Sequence, residues 1–167
     1  MLHQKILMTI KVENNFLNNT HFWIMYKTFI SENFPWYIEN GHNDLVHNLT
    51  YESHLKKENS FYATKILDPI IVKLNIKNIV SSKITLNYSS SKLEKIAPPK
   101  ENIDINNKSM RGFLCMNTNN SEIEIAGVSK IPLVENRFIS FPKNNPYFAS
   151  THTDVKYRIV LELIYNV

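Results

Sequence analysis

The chain has 167 residues, 43% hydrophobic and 20% charged, which suits one globular domain with a core of its own. Its net charge of +4 rests on 16 scattered Lys and only 3 Arg and travels with 22 Asn and 20 Ile. That is a nucleotide-bias pattern, and it argues against a nucleic-acid surface, where cations cluster. The single Cys115 excludes an intrachain disulfide, and no apolar run approaches the roughly 18 residues that span a bilayer.

The start, MLHQKILMTIKV, alternates Ile6, Met8, Ile10 and Val12 and lacks a cleavage-site pattern. It is expected to be a first strand and not a signal peptide, so the protein is expected to be intracellular and not secreted. Asn19 or Thr20 can cap a helix running to about Ser31, with Phe22, Met25 or Tyr26, and Phe29 on its apolar stripe. Pro35 stops that helix, and Phe34-Pro35-Trp36-Tyr37 supplies large aromatics for a core plug. His42, His47 and His54 follow, at spacings that suit neither the i, i+4 pair of a helical metal site nor one face of a strand. They are expected to be surface or packing histidines.

Ser60 opens a second helical region, expected to break and restart at Asp68-Pro69, with Leu67, Ile70, Ile71 and Leu74 on one stripe. From Ile79 the chain turns to strands. Val80, Ser82, Ile84, Leu86 and Tyr88 alternate with polar residues; Arg111–Thr118 is strand-like; a hairpin is expected at Ala126-Gly127. Arg137–Phe141 is the next strand, and a closing strand puts Ile159, Leu161, Leu163 and Tyr165 on one face. Arg158, Val160, Glu162 and Ile164 take the other. Two helices followed by six or more strands argue for a single α+β domain over residues 1–167. An Arg opening such a strand needs an anion, because a buried unpaired charge destabilises, and its planar fork suits a carboxylate held bidentately. Pairing with Glu162 or Asp104 is the structural alternative.

Several of these stretches together resemble one family. Phe34-Pro35-Trp36-Tyr37 after a helix, Met116-Asn117-Thr118-Asn119-Asn120, and Glu135-Asn136-Arg137 leading to Phe141 and Arg158 are similar to a small viral and phage group of Fe(II)- and 2-oxoglutarate-dependent oxygenases. The resemblance covers most of the chain, from near residue 12 onward. It implies a double-stranded β-helix, a cupin-like jelly-roll with the N-terminal helices buttressing one sheet. It also implies an iron site of two His and one carboxylate, with an Arg on the far carboxylate of the co-substrate. That Arg corresponds to Arg158.

Of the three metal ligands only the carboxylate, as Asp104, carries over. The H-x-D window falls on Asn102-Ile103-Asp104 and the distal His on Tyr147, and no His occurs from residue 55 to 151. An amide oxygen is a weak donor, and a phenol must lose a proton with a pKa of about 10. His152, five residues past Tyr147, is the outside candidate for a ligand. The resemblance therefore implies a non-catalytic protein without cofactor, acting as a binding or assembly component with a protein partner, in a host cytoplasm or a virion. The alternative is an Fe(II)/2-oxoglutarate-dependent hydroxylase with altered ligands.

Overall fold

The computed structural model describes residues 10–38, 44–51, 54–55, 60–98, 109–127 and 129–167. Asn102, Asp104 and His42, and residues 1–9 of the expected first strand, lie outside the described residues.

Among the described residues, twelve strands form two antiparallel sheets. The larger has the order β1 (Lys11–Glu13), β10 (Phe138–Pro142), β7 (Met110–Cys115), β12 (Tyr157–Asn166), β5 (Asn78–Tyr88), β3 (Leu45–Tyr51) and β2 (Tyr37–Ile38), with β4 (His54–Leu55) also on β3. The smaller runs β6 (Lys95–Ile96), β11 (Tyr147–Ser150), β8 (Glu122–Ile125), β9 (Ser129–Pro132). From β5 to β12 the chain passes from one sheet to the other at each step except the β8–β9 hairpin. That is the double-stranded β-helix the sequence led us to expect.

β12 shows why the sheets stack. Its alternation is the expected one: Ile159, Leu161, Leu163 and Tyr165 are buried in a core shared with both helices, while Val160 joins a second core between the sheets. Fully burying each such side chain contributes about 1.5–3 kcal/mol before entropy is charged against it. β7 is built the same way, with Leu114 toward the helices and Phe113 and Cys115 toward the small sheet. Gly112 is needed there, because a Cβ would lie 2.4 Å from the Phe138 ring, itself stacked on Phe16 at 4.4 Å. The hairpin at Ala126-Gly127 joins β8 to β9, with both residues at positive φ.

The helices differ from expectation in detail. The first, α1 (Asn19–Phe29), is capped by Asn18, whose Oδ1 accepts from His21 N at 2.9 Å. Phe22, Met25 and Phe29 face the core as expected. The second, α2 (Ser60–Leu74), does not break at Asp68-Pro69 but runs through it. Proline removes one backbone hydrogen bond, and Ile66, Leu67 and Ile70, all buried, hold the turns on either side against the large sheet. Asn75, at φ 53°, ends the helix, and Ile76 N donates back to Ile71 O.

The Phe34-Pro35-Trp36-Tyr37 stretch is the core plug. Phe34 is buried among Phe29, Trp36, His47 and Tyr62 rings, with centroids 4.8–5.4 Å away. Trp36 Nε1 donates to Phe29 O, and His47 Nδ1 lies 2.7 Å from Pro35 O, so His47 is a packing histidine. Asn136 of the Glu135-Asn136-Arg137 segment ties the N-terminal strand region to the barrel: Oδ1 accepts from Leu17 N and Nδ2 donates to Leu17 O.

Candidate functional site

Between the sheets, one end is filled by the second core and the other opens into a cavity of about 360 Å³. The large sheet presents Lys83, Thr85 and Asn87 from β5 and Arg158, Val160 and Glu162 from β12. Facing them are Ile123, Tyr147 and Ala149 of the small sheet, with Asp44 at the edge where β3 begins. Register fixes the rows: Asn87 lies opposite Arg158, Thr85 opposite Val160, and Lys83 opposite Glu162.

Arg158 is 7% exposed, and burial pulls its guanidinium below its ordinary pKa, opposed by the charge of Asp44. It does not pair with Glu162. Nε and Nη2 both donate to Asn87 Oδ1, at 3.2 and 2.9 Å, and Nη1 donates to Ser150 O at 2.6 Å and Ser121 Oγ at 3.2 Å. Among the described residues no carboxylate forms a salt bridge with it. Asn87 already fills the Nε–Nη2 edge of the fork, and of five N–H bonds only one, on Nη2, is left for a ligand.

The Met116–Asn120 segment explains how Arg158 is held. Asn117 Oδ1 accepts from Ile159 N and its Nδ2 donates to Tyr157 O, which fixes the head of β12. Asn119 Oδ1 accepts from Ser121 N and Ser121 Oγ, and that hydroxyl in turn accepts from Arg158. Cys115, behind this network, is fully buried, and its thiol is pushed up to about 12 by burial despite Arg137 and Arg158.

Against Glu162 and Tyr147 of the lining lies another buried cation, which sequence reading did not single out. Arg111, 3% exposed, reaches diagonally from β7 to Glu162. The same Nη1 donates to the Tyr147 hydroxyl at 3.0 Å, and the guanidinium carbon lies 4.8 Å from the centre of the Tyr147 ring. Glu162 also meets Lys83 Nζ at 3.6 Å, and Tyr147 packs between Phe113 and Phe141, at 5.4 and 5.7 Å. That Arg111 is one of only three Arg in the chain was the available signal; its register against β12 was not.

These contacts bear on Fe(II). Tyr147 stands at the position that the resemblance gives to the distal His, and a guanidinium nitrogen lies between its oxygen and that of Glu162. A fixed cation there opposes a dication electrostatically. His152 does not line the cavity: it lies beyond the end of β11, 1% exposed, with its carbonyl accepting from Ser90 N. No group of three or more His, Cys, Asp or Glu able to hold a metal occurs among the described residues. Of the three positions that the resemblance gives to metal ligands, Tyr147 alone is among the described residues, and Arg111 donates to its hydroxyl. No described helix is long and apolar enough to cross a membrane.

No protein-family model matches the sequence, and no curated protein matches it. Solved structures do resemble the fold. A prolyl-4-hydroxylase of Pseudomonas putida superposes with a TM-score of 0.59 at 11% identity, covering 100% of each chain. A viral collagen prolyl hydroxylase of Paramecium Bursaria Chlorella virus-1 gives 0.56 at 12% identity, over 95% of this chain and 90% of that one. A 2OG-Fe(II) oxygenase family oxidoreductase of Burkholderia pseudomallei gives 0.64 at 8% identity, over 98% and 87%. At these identities the likeness is one of fold: the chain is a double-stranded β-helix of the 2-oxoglutarate/Fe(II) oxygenase type.

Proposed function

We propose that the chain is a carboxylate-binding protein on an oxygenase-type barrel, acting without iron as a binding or assembly component. Arg158 carries this reading. It is a buried guanidinium at the wall of an open cavity; among the described residues its hydrogen-bond partners are all neutral oxygens, and one N–H is left over. A buried cation without a counter-charge is costly, and an anionic ligand removes that cost. Arg111, lodged between Tyr147 and Glu162, supports the absence of a metal. A protein partner, and the viral setting suggested by the motifs, belong to this proposal too.

The experiment is a titration with glutarate followed by NMR on the isotope-labelled chain, alongside metal analysis of protein purified with Fe(II) present. Glutarate is expected to shift resonances of β5 and β12, to lose that effect in Arg158→Leu, and to do so without stoichiometric iron. Retained iron together with turnover of 2-oxoglutarate would establish the rival reading, a hydroxylase with altered ligands, which draws on the oxygenase names of the structural neighbours.

A further inference from the structure

The row that contains Arg158 continues across the large sheet. Leu45 of β3 lies opposite Leu86 of β5, so Asp44 extends the register to Asn87, which lies opposite Arg158. Asp44, Asn87 and Arg158 all line the cavity. Neighbouring strands are about 4.8 Å apart, so the row places an acid, an amide and a base at successive steps across roughly 10 Å. Their hydrogen bonding is lopsided. Asn87 spends its carbonyl on Arg158, while its Nδ2 has no hydrogen bond and Asp44 neither hydrogen bond nor ion pair among the described residues. Asp44 is near enough for its charge to act on the guanidinium.

This arrangement offers one N–H of Arg158 and the amide N–H₂ of Asn87 to a carboxylate, and beside them an acceptor with a full negative charge. A plain carboxylate satisfies the first two and leaves Asp44 facing the ligand uncompensated. A ligand with an ammonium next to its carboxylate satisfies all three. Val160 lies directly below Arg158 on the same strand face, and Phe113, Ile123 and Leu133 continue the apolar wall inward. We infer that the cavity takes a zwitterion, an α-amino acid with an apolar side chain: carboxylate on Arg158 and Asn87, ammonium on Asp44, side chain against Val160. The inference rests on the carboxylate-binding reading of Arg158 and adds Asp44 and Asn87 as the residues that set specificity.

The test compares L-leucine, 4-methylpentanoate, which is leucine without its amine, and 2-oxoglutarate, each titrated into the full-length labelled chain. L-leucine is expected to bind about tenfold more tightly than 4-methylpentanoate, the worth of one charge-assisted hydrogen bond. Asp44→Asn is expected to bring the two to equal affinity, weakening L-leucine and relieving the charge that faces 4-methylpentanoate. Equal affinity for both in the parent, or a clear preference for 2-oxoglutarate, overturns the zwitterion and leaves the carboxylate reading standing. If none of the three shifts the cavity residues, the carboxylate reading falls as well.

Discussion

Replacing Arg111 by Met keeps most of the side-chain volume and removes the charge that sits between Glu162 and Tyr147. Glu162 is 9% exposed, and its remaining partner would be Lys83 Nζ at 3.6 Å. Removing one member of a buried ion pair costs about 3–5 kcal/mol, and Lys83 softens the loss, so about 3 kcal/mol is expected. At about 2–4 °C per kcal/mol for a chain of this size, the melting temperature should fall by roughly 6–12 °C. The assay is urea unfolding followed by circular dichroism, extended to Glu162→Leu and to the double variant. Arg111→Met with Glu162→Leu should be more stable than Arg111→Met alone, because no buried charge is then left unpaired. If Arg111→Met lay within about 0.5 kcal/mol of the parent, or the two changes simply added, the buried-pair reasoning would be wrong.

Two further outcomes follow from the packing. Gly112→Ala should destabilise by about 1–3 kcal/mol, since the new methyl meets the buried Phe138 ring and Phe138 cannot move without disturbing its stack on Phe16; an unchanged urea midpoint would show that β7 has room to spare. His152 has its pKa lowered, first by burial and then by the charge of Arg158, against the pull of Asp154. The unfolded chain therefore binds the proton more readily, and stability should fall as pH drops through about 6.5 and level off below the folded value. His152→Asn should flatten that part of the stability–pH curve, and an unchanged slope would move the titration to another group.

The strands were legible because alternation is a local pattern, and in β12 every second residue from Ile159 to Tyr165 goes where its polarity directs it. The Asn-rich segment was legible only as a motif; its use, as a set of side-chain bonds to the head of β12, depends on loop geometry that spacing does not encode. Pro69 misled because local propensity lost to burial of Ile66 and Ile70 on the sheet. The partners of the two buried arginines could not be read either. Glu162 lies four residues from Arg158 on the same strand face, yet strand spacing sets those two about 13 Å apart along the strand. Arg111 reaches Glu162 from the neighbouring strand, and that contact exists only once β7 and β12 are in register.

The place of β12 has a consequence for synthesis. It is made after β5, β7 and β10, yet it lies between β7 and β5 in the middle of the large sheet. A nascent chain that lacks it presents two facing, unpaired strand edges, which are templates for misassociation. At about 5–20 residues per second, the roughly 80 residues between β5 and the end of β12 take on the order of 4–16 s to appear. Throughout that interval β5 waits for its neighbour, so the large sheet closes only once β12 has emerged.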